Sequence, residues 1–169
     1  MFIYLDANVV QYTAKYSDFI FQVCRRCPVK EPKLRREIMA LRYLAELDQY
    51  GDWTYIAPRH LLDELKQGQP TPEQLETYKT LDEAWRDCYF PGDEPSETEI
   101  CRINESLFEL HLKDPADRRH LAEALSRHAT WFLTNDGEVL RKTRGRINSM
   151  RITRPSECLE DISVGLFLR

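Results

Sequence analysis

The chain has 169 residues, of which 42% are hydrophobic and 31% charged, which is enough for one globular domain with its own core and short for two. Its formal net charge is -4 and its pI is about 5.6, so bulk charge does not hold nucleic acid, and any polyanion must bind a local basic face. No stretch approaches the roughly 20 apolar residues of a membrane helix, and no basic segment precedes the apolar start as in a secretory signal, which predicts a cytoplasmic protein.

The first predicted element is a strand over residues 2–5, where large apolar side chains follow one another without alternation. This pattern is typical of a strand covered on both faces in a parallel sheet. Asp6 follows the strand directly, and ligands of such sheets bind outside the carboxyl ends of the strands. The alternative for Asp6 alone is a turn residue that caps the next helix.

Helices dominate the rest of the first half. One is predicted to start near Val9, with Asn8 able to cap it. The further elements predicted there are helices over 17–27, 33–50, 59–67 and 71–87 and a strand over 53–57. Within the helix over 59–67, Glu64 lies closer than Asp63 to the apolar stripe, so Glu64 is predicted to point inward.

The second half combines helices with two more strands. Asp114 before Pro115 is typical of a helix cap. The predicted elements are a loop over 89–97, helices over 96–112 and 115–128, strands over 129–133 and 150–153, a helical turn from 155 and an edge element over 164–168. A basic stretch precedes the last strand. His111 is expected on the inner side of its helix, and the four histidines as a set (His60, His111, His120, His128) are predicted to be surface or core-edge residues without a general-base role.

Five cysteines, an odd number, fit reduced thiols better than a disulfide framework. Cys24 and Cys27 have the spacing of half a zinc site, but no second close pair completes it. Ordinary thiols are therefore predicted rather than a zinc site.

Acidic residues stand where the predicted strands end or helices begin. Asp6 and Asp136 each follow a strand, Asp117 lies in the first turn of a helix, and Glu64 follows the second strand by two helical turns. Alternating strands and helices predict an α/β fold with a parallel sheet, which gathers the strand ends on one edge. Converging carboxylates repel one another, and a divalent cation would compensate that repulsion.

Four motifs in this order resemble the PIN-domain nucleases, which include the VapC-like toxin ribonucleases. They are Asp6-Ala7-Asn8, Glu64-Leu65, Asp114-Pro115-Ala116-Asp117 and Leu133-Thr134-Asn135-Asp136. The resemblance spans residues 2 to about 160 and implies a single PIN-like domain over 1–169, a Rossmann-like three-layer α/β/α fold with a mainly parallel sheet of four or five strands. The chain departs from the family where Arg118, Arg119 and His120 replace the usual small residues.

The resemblance also implies a chemistry. Mg²⁺ or Mn²⁺ would be held by Asp6, Glu64, Asp117 and Asp136, and oxygen-only ligation suits these cations better than zinc. The implied activity is a metal-dependent endoribonuclease, in a narrower form the toxin of a toxin-antitoxin pair, with RNA as substrate, an antitoxin protein as partner and homodimerisation as in many relatives. Asn8 and Thr134 are expected to support the acids, with capping or a turn as an equal alternative. Asp114 is expected to cap the helix while Asp117 binds the metal.

Phosphate contacts are expected from a set of basic residues, and the alternative is that these are solvated surface charges. The set comprises Arg118, Arg119, Arg141, Lys142, Arg144 and Arg146.

Two other function classes stay open. One is a PIN-like scaffold that binds RNA or protein without cutting. The other is a haloacid-dehalogenase-like phosphatase, which ranks low because it needs an acid at position 8, where this chain has Asn8. Tyr12, Tyr16 and Trp85 are interpreted as core aromatics rather than base-stacking residues.

Overall fold

The computed structural model describes residues 1–21, 26–48, 53–56, 64–65, 69–87 and 95–167. In the first half the elements are β1 (Phe2–Leu5), α1 (Ala7–Lys15), α2 (Ser17–Ile20), α3 (Pro32–Asp48), β2 (Thr54–Ile56) and α4 (Pro72–Asp87). In the second half they are α5 (Glu97–Ser106), a 3-10 turn (Phe108–Leu110), α6 (Pro115–Ser126), β3 (Trp131–Leu133), α7 (Gly137–Thr143), β4 (Arg146–Ile147), β5 (Met150–Thr153) and α8 (Pro155–Phe167).

The strands form one sheet in the order β2-β1-β3-β5-β4. Strands β2, β1, β3 and β5 are parallel, and β4 runs antiparallel to β5 at the edge. The register pairs Leu5 with Leu133 and Leu133 with Thr153, so these three residues mark the carboxyl edge of the sheet. The predicted α/β class with a mainly parallel five-stranded sheet is confirmed.

Side-chain alternation divides the core into two layers. Ile3 and Leu5 belong to a cluster with α1, α2, α3 and α8 on one face. Tyr4 points to the other face and stacks on Phe132 with ring centroids 5.3 Å apart, in a cluster with α5, α6 and α7. Both faces of β1 are therefore covered by helices, which explains why its sequence is apolar without alternation.

Several boundaries in the first part differ from the prediction. The first helix begins at Ala7, and Asp6 rather than Asn8 caps it by accepting a hydrogen bond from the Ala7 amide at 2.9 Å. The next helix ends at Ile20, and residues 22–25 lie outside the described part. Of the helix predicted over 59–67, only Glu64 and Leu65 are described, both helical. Most of the loop predicted over 89–97 also lies outside the described residues.

Three predictions in the second part are wrong. The helix predicted to reach residue 112 ends at Ser106, and His111 is exposed with a left-handed φ of 48°. The basic stretch, for which no element was predicted, begins in a short helix, α7, which Asp136 caps and which carries Arg141 and Lys142. Residues 155–167 form one helix in place of a turn and an edge element. Within the described ranges, no helix is both long and apolar enough to span a membrane.

Candidate active site

Asp6 stands at the centre of the carboxyl edge and is buried, with 3% of its surface exposed. Its backbone amide donates to the Leu133 carbonyl at 3.0 Å, which fixes the end of β1 beside the end of β3. Its carboxylate accepts from the Thr134 hydroxyl at 2.6 Å and from the Asn8 side-chain amide. The Asp6 side chain is thus held by Asn8 in the first turn of α1 and by Thr134 in the loop after β3.

Thr134 and Asn8 connect the loop after β3 to the first turn of α1. The buried Thr134 hydroxyl accepts from the Asp136 amide at 2.9 Å and from the Asn8 side chain at 3.1 Å, while it donates to Asp6. Asn8 in turn accepts from the Asn135 amide at 2.9 Å. Both residues contact Asp6 directly, so the positions expected to support the acids do lie beside them.

Asp114, Asp117 and Asp136 begin helices at the same edge. Asp136 caps α7 by accepting from the amides of Glu138 and Val139 at 2.6 and 3.0 Å. The exposed Asp114 caps α6 by accepting from the Ala116 amide at 2.8 Å, as its position before Pro115 predicts. Asp117 lies half-buried in the first turn of α6.

Electrostatics links these acids. Burial, followed by the charges of Asp6, Asp136 and Asp114, raises the pKa of Asp117 to about 7. Burial also raises the pKa of Asp6, with a smaller contribution in the same direction from Asp136 and opposing contributions from His120 and Thr134. The aspartates at this edge therefore form a site that is short of positive charge.

Glu64 is linked to the acidic edge by its contact with His120. The Glu64 carboxylate and His120 Nε2 are 2.9 Å apart, and His120 is buried with 5% exposure. The prediction that His120 is a surface or core-edge residue is therefore wrong. The available signal was its spacing, because His120 stands one helical turn after Asp117 and so shares its face of α6.

His120 continues into a buried polar chain. Its Nδ1 lies 3.2 Å from the Tyr4 hydroxyl, which donates to Glu123 at 3.0 Å, and Glu123 pairs with Arg127 at 3.0 Å. Because the Tyr4 proton goes to Glu123, Nδ1 must donate to the Tyr4 oxygen, while Nε2 faces a carboxylate. Both ring nitrogens thus face acceptors, which favours the imidazolium. Burial opposes this charge, but the hydrogen bond that His120 donates to Glu64 and the charge of Asp6 raise the pKa of His120.

Arg118 and Arg119 face α5 rather than the acidic edge. Arg118 donates to Asn104 at 2.9 Å and lies over the Phe108 ring at 3.8 Å from its centroid. Arg119 pairs with Glu97 at 3.1 Å. Their charges are engaged in holding α6 against α5.

The other four residues expected to contact RNA are exposed: Arg141, Lys142, Arg144 and Arg146. Among the described residues, none of the four makes an ion pair. Arg146 lies on the edge strand β4, which β3 and β5 separate from β1 and Asp6. Arg146 is therefore on the sheet edge, while Arg141 and Lys142 lie in the last turn of α7, at the end opposite to Asp136.

The donor chemistry suits a hard divalent cation, since every acid at this edge offers carboxylate oxygens. In the part of the chain that the structure describes, no three His, Cys, Asp or Glu side chains meet closely enough to hold one ion. Asp6 faces Thr134 and Asn8, and Glu64 faces His120. The acids are thus coupled by charge without sharing a coordination point.

No protein-family model, no curated protein and no solved structure matches this chain. Function must therefore be inferred from the residues and their arrangement.

Proposed function

We propose that this chain is a divalent-metal-dependent endoribonuclease with a PIN-like three-layer fold, hydrolysing RNA phosphodiesters at the carboxyl edge of its sheet. The observation that carries the proposal is the excess of negative charge at this edge, where burial and then the charges of Asp6 and Asp136 raise the pKa of Asp117 to about 7. Groups of titratable residues with strongly perturbed pKa values in one place are typical of functional sites.

Mg²⁺ or Mn²⁺ would be held by Asp6, Asp117 and Asp136 partly through water, since these side chains do not meet at one coordination point among the described residues, with Glu64 on the side of His120. Such an ion, when bound, lowers the pKa of a water molecule and stabilises charge on the phosphodiester oxygens. Thr134 and Asn8 orient Asp6 for this task, and the N-terminus of α6 favours the ionised form of Asp117 that metal binding requires. His120 holds Glu64 in place through its 2.9 Å contact.

The narrower proposal of a toxin with an antitoxin partner, and that of a homodimer, are supported only by the motif resemblance. A small reading frame for a DNA-binding antitoxin next to the gene would support the first. Size measurement in solution addresses the second.

Cleavage assays test the main proposal. Purified protein is incubated with structured and single-stranded RNAs in Mn²⁺, Mg²⁺ or EDTA, beside Asp6→Asn and the control Glu105→Gln, an exposed acid on α5. We expect cleavage by the wild type and the control in either metal, and none by Asp6→Asn or in EDTA. Wild-type protein that cleaves no RNA above the Asp6→Asn background would end the proposal.

One observation favours the alternative of a scaffold that binds RNA or protein without cutting. His120 already supplies a positive charge to Glu64 and Asp6, and no three acids among the described residues share one coordination point. Calorimetric titration with Mn²⁺ discriminates, because the nuclease proposal requires binding that Asp117→Asn weakens, whereas a scaffold gives no site-specific heat.

A further inference from the structure

A cleft of about 440 Å³ adjoins the acidic edge on the other face of the sheet. Its walls come from α1, from the first turns of α3 and α8, and from Asn135 in the loop after β3. Asn135 stands between Thr134 and Asp136 in the chain, so the same loop borders the cleft and the acidic site. The volume lies in the range of small-molecule sites, roughly 300 to 1,000 Å³.

The cleft lining carries three cations, Lys33, Arg36 and Arg154, and two acids, Glu37 and Glu157. Arg36 pairs with Glu160 at 2.6 Å and Arg154 with Glu157 at 3.5 Å, whereas Lys33 makes no ion pair with the residues that the structure describes. A cationic wall beside acids is the arrangement that a polyanion crossing a metal site requires.

One of the two acids in the cleft lining is hydrogen-bonded within the fold. Glu37 is buried and accepts hydrogen bonds from the backbone amide and the hydroxyl of Ser156 at 2.9 and 2.8 Å. Its charge is therefore stabilised within the fold by these two bonds. Lys33 remains the cation of the cleft that is best placed to take an anion.

Asn135 provides a donor that the fold does not use. Its backbone amide binds Asn8, but its side-chain nitrogen is enclosed and has no hydrogen-bond partner among the described residues. An enclosed donor without a partner costs free energy, and its retention calls for a reason such as a ligand. Tyr12, half-buried on α1, adds an aromatic ring to the same cleft.

We propose that this cleft binds the nucleotide next to the cleaved phosphodiester. Lys33 and Arg154 take its phosphate, the Asn135 amide donates to its base, and the Tyr12 ring packs on the base or sugar. This inference rests on the proposed function, since it places a second part of the same RNA strand beside the acidic edge. Arg118 and Arg119 face α5, whereas the cleft borders the loop that carries Thr134 and Asp136.

Binding of a fluorescent single-stranded RNA to the full chain in EDTA tests the proposal without cleavage. Lys33→Ala is compared with Arg35→Ala, an exposed neighbour on α3 outside the cleft lining. We expect Lys33→Ala to weaken binding roughly tenfold, as for one charged contact, and to reduce the slope of log affinity against log salt by roughly 0.7. Arg35→Ala is expected to change neither quantity.

Asn135→Ala supplies a second readout. It is expected to weaken RNA binding while the unfolding temperature stays equal or rises, because the removed donor has no hydrogen-bond partner among the described residues. If Asn135 only stabilised the fold, Asn135→Ala would lower the unfolding temperature and leave RNA binding unchanged. In Mn²⁺, Lys33→Ala is expected to raise KM and leave kcat unchanged.

The outcomes separate the two proposals. If wild-type protein cleaves RNA and both cleft variants bind as tightly as Arg35→Ala, the cleft inference is overturned and the nuclease proposal stands. If the wild type neither binds nor cleaves RNA, both are overturned.

Discussion

Two sets of buried or half-buried acids in this molecule have different surroundings. Glu37 and Glu123 are each matched by donors: Glu37 by two hydrogen bonds from Ser156, and Glu123 by the Tyr4 hydroxyl and the Arg127 guanidinium. Asp6 also accepts hydrogen bonds, but Asp6 and the half-buried Asp117 interact with the charges of other acids, and burial together with these charges raises their pKa values. Burial alone therefore does not mark a functional carboxylate.

The difference shows which carboxylates lower the stability of the folded protein. A buried charge with matched partners stabilises the fold or is neutral, and breaking it is expensive. A carboxylate placed among other carboxylates destabilises the metal-free protein, so it persists for a reason other than stability. Substitutions in the two sets should consequently have opposite effects on activity and stability.

The largest effect is expected for Asp117→Asn. Cleavage should fall by at least about 100-fold, because in the proposed function this charge would hold the metal. The free energy of unfolding without metal should stay equal or increase, because repulsion from Asp6 and Asp136 is removed. Cleavage rates and urea titrations in EDTA measure both, with Glu105→Gln as the control. An active Asp117→Asn would remove this residue from the site.

The matched set should respond in the opposite way to Glu123→Gln. Glu123 and Arg127 are buried with 4% and 5% of their side chains exposed, 3.0 Å apart, and removal of one partner of such a pair costs about 3 kcal/mol or more. Urea titration measures this loss, and the folded fraction should keep measurable cleavage. Tyr4→Phe, which removes the hydrogen bonds of the Tyr4 hydroxyl to Glu123 and His120 but keeps the pair, should cost about 2 kcal/mol. If Glu123→Gln leaves stability unchanged, the contrast between the two sets fails.

The pH dependence of stability sharpens the same comparison. The folded pKa of Asp117, about 7, lies above its ordinary value of 3.8, so the folded state binds this proton more tightly than the unfolded state. Stability of the metal-free protein should therefore be highest at low pH and decline between about pH 4 and 7. With half of the group shielded from solvent, the decline attributable to Asp117 is roughly 1–2 kcal/mol.

Denaturation in EDTA at pH 5 and pH 7.5 measures this decline. Asp117→Asn should decline less than the wild type, although Asp6 and His120, whose pKa values are also raised, contribute in the same direction in both proteins. Parallel declines would contradict the electrostatic account of the site.

The sequence predicted those parts of the fold and site that local patterns determine. The apolar run of β1, the Asp114-Pro115 cap and the acids at strand ends are local features, and each was predicted in its place. Asp6 as a helix cap was weighed as an alternative, and the structure shows that it caps α1 and also lies among the other acids.

The missed features depend on contacts between distant residues. His120 is buried because its partners, Glu64 and Tyr4, lie 56 and 116 positions away, and no spacing within α6 identifies them. Arg118 is engaged by Asn104 and Phe108 on the other side of a chain reversal, so its basic character alone suggested RNA. Helix α7 was missed because its seven residues are too few for a periodic pattern and Asp136 before Gly137 also reads as a turn.

The smallest effect, and the sharpest division of roles, is expected for Asp114→Ala. Asp114 is exposed and its carboxylate accepts from the Ala116 amide at 2.8 Å, so its loss should cost about 1 kcal/mol of stability, as for a typical helix cap. Cleavage should remain measurable, because Asp117 keeps its place beside Asp6 and Asp136. Thermal melts without metal and cleavage assays on Asp114→Ala and Asp117→Asn provide the comparison. A fully stable but inactive Asp114→Ala would exchange the roles, making Asp114 the metal ligand and Asp117 the residue that supports it.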